Sequence, residues 1–92
     1  MDAGARTFVA ECFWPDVHEQ DVHDLDERLR ACAEAGTVRY LGSFLIDTDE
    51  VVLCQFEGSE AAVRELAERA GVPFERLLET TTPDRTPKRA DV

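Results

Sequence analysis

The sequence predicts a single α+β domain in which two strand–helix–strand segments share one four-stranded antiparallel sheet, with both helices on one face. The first observation is the order of segments, because short β-favouring stretches alternate with stretches whose apolar residues recur at helical spacing, in the order βαββαβ. The second is that right-handed crossovers place both helices on the same side of the sheet. Together they indicate the ferredoxin-like plait, and a length of 92 residues suits one such domain.

The first strand and helix are predicted from residues 7–35. Residues 7–14 are rich in aromatic and β-favouring residues, and Pro15 ends the strand. Residues 16–35 hold the first helix, for which Asp16 or Asp21 can supply the N-cap. Its apolar stripe has helical spacing and consists of Val22, Leu25, Leu29 and Cys32.

The second half of the chain repeats the pattern. Residues 38–46 and 51–57 are predicted strands, and the turn DTDE between them makes the pair a hairpin. The second helix, residues 59–70, begins at a serine cap and ends before a glycine. A short fourth strand starts near residue 76. We assign residues 1–82 to the domain and residues 83–92, with two prolines and several charges, to a flexible C-terminal tail.

Charge and cysteine content exclude several classes of protein. Acidic residues outnumber basic ones 20 to 10, and the net charge of −10 would repel phosphate backbones, so we expect no nucleic-acid partner. We also expect no membrane partner, because the apolar runs are far shorter than the roughly 20 residues of a membrane span and the N-terminus has no signal core. The three cysteines are widely spaced without a CxxC pair, which predicts reduced thiols and a cytoplasmic location.

Both faces of the predicted sheet are apolar. Strand 1 carries Phe8 on one face and Val9 and Phe13 on the other. Strict alternation in strand 2 places Tyr40, Phe44 and Ile46 on one face and Leu41 and Leu45 on the other. Strand 3 shows the same two-sided character. Since the helices cover only one face, we expect the other face to meet a second copy in a homodimer.

The order of several short motifs resembles a family of small, mostly uncharacterised bacterial ferredoxin-like proteins. The motifs are a first strand FVAECFWP, an aromatic-x-x-Ser-aromatic second strand (YLGSF), a Cys-x-aromatic-Glu third strand (CQFE) and a GVPFER segment. The family includes a nickel-binding protein from actinobacteria. The resemblance implies the ferredoxin-like fold, a homodimer joined through sheet faces, and nickel as a possible bound metal.

One position departs from the nickel-binding relatives. They commonly carry a histidine two residues after the strand-2 aromatic, where this sequence has Gly42. Imidazole is a good nickel ligand and glycine offers none, so we expect any nickel affinity to be weak.

Glu11 is a charge inside an apolar strand and matches the family's strand-1 glutamate. A carboxylate on a covered sheet face needs a partner, a metal or a proton. It is therefore a candidate ligand-binding and metal-binding residue, or an acid/base group. The structural alternative is an ion pair with Arg39 or Arg76.

His18 and Cys54 are the other candidate metal ligands. A thiolate binds soft metals well, although Cys54 would also suit the helix-packed core. His18 lies at or before the start of the first helix, from which it could approach strand 1. His23 lies beside Glu19 and Glu27 at helical spacing, and we expect that trio to be a solvated face.

Aromatic and hydroxyl side chains could line a small-molecule cavity, for which the candidates are Tyr40, Ser43 and Trp14.

The primary functional hypothesis is a homodimeric binding protein for a small ligand or a divalent metal. The alternative is a dimeric α+β barrel enzyme or accessory protein, of the cyclase or cofactor-free monooxygenase type, acting on an aromatic or polyketide-like molecule. Glu11 or His18 would then be the acid/base group and Tyr40 the orienting donor. A purely structural dimerisation module is the third hypothesis.

Overall fold

A computed structural model describes residues 6–80, whose elements follow the predicted order. The elements are β1 (Arg6–Phe13), α1 (Glu19–Glu34), β2 (Arg39–Ile46), β3 (Val51–Gly58), α2 (Glu60–Arg69) and β4 (Arg76–Thr80). A short 3-10 turn, Asp47–Asp49, joins β2 to β3 where the sequence predicted a tight reversal. The predicted domain boundary at residue 82 and the tail, 83–92, lie outside the described residues.

The four strands form one sheet in the order β2-β3-β1-β4, and every neighbouring pair is antiparallel. The two strand–helix–strand crossovers account for this order, because each connects strands separated by one intervening strand. The ferredoxin-like α+β fold predicted from the sequence is therefore confirmed.

The core lies between the sheet and the two helices. Alternate residues of β1 and β3 point toward the helices and are almost fully buried, namely Phe8, Ala10, Cys12, Val52, Cys54 and Phe56. The helices contribute Leu25 and Leu29 from the predicted stripe of α1, and Val63 and Leu66 from α2. Apolar burial of this kind is the main stabilising contribution to a small domain.

The capping residues explain where the two helices begin. The N-cap of α1 is His18, whose backbone N–H donates to the Asp21 carboxylate at 2.9 Å. The predicted caps Asp16 and Asp21 were wrong, because Asp16 has φ +64 in the preceding turn and Asp21 lies inside the first helical turn. In α2 the predicted cap Ser59 is confirmed, since its hydroxyl accepts from the backbone of Ala62 at 3.2 Å.

A β-bulge in β2 breaks the alternation assumed from the sequence. Tyr40 pairs with Phe56, but the next paired residue is Gly42, so one extra residue is inserted between them. As a result Tyr40 faces the helices together with Ser43, whereas Phe44 lies on the opposite face. The prediction that Tyr40 shares a face with Phe44 and Ile46 is therefore wrong, because the bulge shifts the alternation.

The sheet face away from the helices carries large apolar side chains. Phe13 is 52% exposed and Phe44 is 54% exposed, and Ile46 and Leu78 are also exposed there. We call this the outer face. Its apolar character agrees with the sequence-based prediction. Among the helices that the structure describes, none is long and apolar enough to cross a membrane.

Candidate functional site

A chain of polar side chains links α1 to the middle of the sheet. The Tyr40 hydroxyl donates to Oδ1 of Asp26 at 2.5 Å and also shares a hydrogen bond with the Ser43 hydroxyl. The Ser43 hydroxyl also lies 3.3 Å from Sγ of Cys54. The chain therefore runs from a half-buried carboxylate on α1 to a buried thiol on β3.

Arg30 completes this cluster from the helix side. Its Nε donates to Oδ2 of Asp26 at 2.9 Å, one helical turn away. Its guanidinium also lies 5.5 Å from the centroid of the Tyr40 ring, and that ring packs on Phe56 with centroids 5.7 Å apart. These contacts fix the position of the Tyr40 ring and hydroxyl.

The protonation states of Tyr40 and Asp26 follow from these contacts. Burial and the hydrogen bond to Asp26 raise the pKa of Tyr40 well above its ordinary value. Burial alone would raise the pKa of Asp26, but hydrogen bonds from Tyr40 and Arg30 outweigh it and lower that pKa overall. At neutral pH the phenol is therefore protonated and the carboxyl group is ionised.

Cys54 and Cys12 lie diagonally on the helix-packed face and are both buried. A hydrogen bond with Cys54, together with burial, raises the pKa of Cys12. A buried protonated thiol behaves as a small apolar core residue. Cys54 also packs in the core, beside the Ser43 hydroxyl, but the hydrogen bond with Cys12 outweighs burial and lowers the pKa of Cys54.

Two hollows lie along the line where α1 meets β2. The larger, of about 620 Å³, is lined by Glu19, Gln20, Val22, His23, Asp26, Ser43 and Leu45. The smaller, of about 340 Å³, is lined by Arg30, Ala33, Glu34, Val38, Arg39 and Tyr40. The Asp26–Tyr40 hydrogen bond connects a wall of the larger hollow to a wall of the smaller one.

Glu11 lies outside this cluster, on the outer face of the sheet. Its carboxylate accepts a hydrogen bond from Nε of Arg76 at 2.7 Å. Arg76 is also the residue of β4 that pairs with Glu11 of β1. The two side chains are 32% and 63% exposed, respectively. Of the two ion pairs that the sequence suggested for Glu11, the structure thus shows the one with Arg76.

The remaining predicted site residues are dispersed. Trp14 packs against the core just after β1, and its backbone N–H donates to the carbonyl of Glu50 at 2.8 Å. His18 is exposed at the start of α1. Tyr40 and Ser43 are therefore brought together, whereas Trp14 and His18 line neither hollow.

The predicted metal ligands Glu11, His18 and Cys54 do not converge. Glu11 is on the outer face, Cys54 is in the core on the other side of the sheet, and His18 is at a helix end. Within residues 6–80, no group of three or more His, Cys, Asp or Glu side chains is arranged to hold a metal ion. The donor residues of one described chain thus do not fit a nickel ion.

Sequence reasoning missed Asp26, which is the centre of the cluster. A signal for it was present, because Asp26 follows Val22 by four residues and precedes Arg30 by four. It therefore borders the apolar stripe of α1 and can pair within the helix. Only the position of α1 above β2 shows that this border faces Tyr40.

No known protein family profile matches the chain, and no curated protein matches it. Among solved structures, the chain is similar to SCO4226 from Streptomyces coelicolor A3(2), with a TM-score of 0.72 and 18% sequence identity. The similarity covers 85% of this chain and 99% of that one. At this level of identity the likeness shows the shared fold.

Proposed function

We propose that the protein is a homodimeric binding protein for a small organic molecule, which lies in the larger hollow between α1 and β2. The observation that carries this proposal is the fixed polar cluster of Asp26, Tyr40 and Ser43 beside that hollow. Small-molecule sites combine an apolar wall with a few well-positioned polar groups. Val22 and Leu45 supply the apolar wall here, and Asp26 and Ser43 supply the polar groups.

The outer face supports the homodimer. Phe13, Phe44 and Leu78 are large, exposed and on one side of the sheet. A second copy that covers these side chains would bury apolar surface that the single chain leaves exposed to water. The hollow is on the helix side of the sheet, so a dimer joined through the outer face leaves it open to a ligand.

The binding proposal fits the described residues better than the enzymatic or metal alternatives. The enzymatic alternative needs Glu11 or His18 beside Tyr40, but Glu11 lies across the sheet from Tyr40 and His18 is at a helix end. A nickel site like that of the similar family would need donors beyond those that one described chain brings together. The free thiols of Cys12, Cys32 and Cys54 support a cytoplasmic location.

A fragment screen by protein-observed NMR tests the proposal. We expect a subset of fragments to shift the backbone amides of Gln20, His23, Ser43 and Leu45, which line the hollow. Ser43→Ala removes a hydroxyl from the wall of the hollow and should weaken the binding of those fragments. Ser59→Ala is the matched control, because it removes a hydroxyl at the N-cap of α2, outside the hollow. Shifts confined to the outer face, or none from any fragment, would refute the hollow as a binding site.

A further inference from the structure

We infer that the ligand of the larger hollow is a small organic cation, a primary amine with an apolar body; this inference rests on the proposed function and names its ligand class. The charges of the lining residues provide the first argument. Two of the seven lining residues, Glu19 and Asp26, are acids, and none is Lys or Arg. His23 is the only other titratable group in the lining, and its ring already lies 3.2 Å from Glu27.

The neighbouring hollow has the opposite character. Its lining contains two arginines, Arg30 and Arg39, and a single acid, Glu34. Charge is therefore segregated along the line between α1 and β2, with negative groups around the larger hollow and positive groups around the smaller. A cation is favoured in the larger hollow and disfavoured in the smaller one.

Asp26 is positioned to bind the ammonium group. Its side chain is 23% exposed, so part of the carboxylate remains accessible. Each oxygen accepts one hydrogen bond, Oδ1 from Tyr40 and Oδ2 from Arg30. A carboxylate has about four lone-pair positions, which leaves acceptor capacity for a ligand N–H. The low pKa of Asp26 keeps it ionised at neutral pH.

Arg30 allows a test of the inference, because its guanidinium interacts weakly with the same carboxylate. Its side chain is 63% exposed and the pair is an i,i+4 surface pair, a type that contributes little to stability. A ligand ammonium adds to Asp26 without displacing Arg30, but the two positive charges repel each other. Removing the Arg30 charge should therefore increase the affinity for an amine.

The apolar wall sets the body of the ligand. Val22 and Leu45 are partly buried and pack against the core, so they present fixed aliphatic surface to the hollow. A hydrated metal ion or a bare ammonium ion would leave that surface in water. An amine carrying an aromatic or aliphatic group covers it and gains the hydrophobic contribution as well as the charge interaction.

Three probes of nearly equal size test the inference, namely phenethylamine, 2-phenylethanol and 3-phenylpropionate. NMR titrations give both the dissociation constant and the affected amides. We expect phenethylamine to bind about tenfold tighter than the alcohol, the usual gain for a charge-assisted hydrogen bond, and the carboxylate to bind weakest. The preference for the amine should decrease with added salt.

Variants connect the preference to Asp26. Asp26→Asn should remove the preference for the amine over the alcohol, whereas Arg30→Gln should tighten amine binding by roughly threefold. Arg69→Gln is the matched control, since it removes the arginine of an i,i+4 pair with Glu65 on α2, away from the hollow. The amine affinity of that variant should stay at the parent value.

The outcomes separate this inference from the proposed function. Equal binding of amine and alcohol in the hollow, or tighter binding of the carboxylate, overturns the cationic ligand class and leaves the hollow as a binding site. Amine-induced shifts spread over the acidic surface, rather than at Ser43 and Leu45, also overturn it. Failure of every probe and every screened fragment to shift the lining amides overturns both.

Discussion

The hydroxyl groups of Tyr40 and Ser43 hydrogen-bond to each other although the two residues are three apart in one strand. Strict alternation would place them on opposite faces of the sheet. The bulge between Tyr40 and Gly42 inserts one residue and brings both side chains to the helix side. The polar cluster beside the larger hollow therefore depends on this one irregularity of β2.

Tyr40 should titrate at a higher pH in the folded protein than in the unfolded chain. Burial and donation to Asp26 raise its pKa above the ordinary value of 10.0. Because the folded pKa is raised, its contribution to stability is fully present below pH 10 and lost as pH rises through the folded value. Tyr40 is the only tyrosine, so phenolate absorbance measures it directly.

The Asp26→Asn variant serves as the control for that titration. The asparagine keeps a hydrogen-bond acceptor for the Tyr40 hydroxyl but removes the negative charge that opposes phenolate formation. The absorbance midpoint should move down toward the ordinary value while the fold is retained. An unchanged midpoint would contradict the role given to the Asp26 charge.

Gly42→Ala should destabilise the protein by about 1–2 kcal/mol, because Gly42 has φ +136, a conformation that side chains disfavour. The cost is conformational, since an added Cβ meets nothing within 4 Å. Gly36→Ala is the matched control, with equally open space but no positive φ. Urea unfolding of the two variants should differ. Equal stability would show that the bulge does not need glycine.

In the Phe44→Glu background, where the outer face is left uncovered, Glu11→Leu should leave the thermal midpoint within about 2 °C or raise it, because a partly exposed ion pair contributes little. Leucine also suits a strand beside Leu53, its partner on β3. Binding in the hollow should be unaffected, since the hollow is on the other side of the sheet. A drop of many degrees in that background would show that the Glu11–Arg76 pair contributes more to stability than a partly exposed pair.

Light scattering at micromolar concentration should give twice the chain mass of 10.3 kDa. Phe44→Glu should give the monomer mass, because it places a charge among the exposed apolar side chains of the outer face. Ala61→Glu is the control, as it adds the same charge to an exposed position of α2. A monomeric parent protein would refute the homodimer proposal.

Calorimetric titration with nickel should show no tight stoichiometric site. Gly42 offers no side-chain ligand, and Glu11, His18 and Cys54 are far from sharing one site. The protein should be purified without an affinity tag so that tag histidines do not bind the metal. Sub-micromolar nickel binding that Glu11→Gln abolishes would contradict this prediction and place the metal on the outer face.

Local patterns in the sequence determined the elements and their order. Neighbouring residues in the sequence set three features, which could therefore be predicted. They are the apolar stripe of α1, the serine cap at residue 59 and the paired strands around the turn DTDE. The apolar character of the outer face could also be predicted for β1 and β3, because their alternation of side chains is unbroken.

The tertiary structure decided the candidate site. Glu11 meets Arg76 because β4 lies beside β1 with these two residues in register, whereas β3 separates β1 from Arg39 on β2. The bulge that turns Tyr40 and Ser43 toward the helices is a property of two paired strands, because it is defined by a mismatch between them. Asp26 belongs to the site only because α1 packs over β2, and its contact with Tyr40 spans 14 positions of the chain.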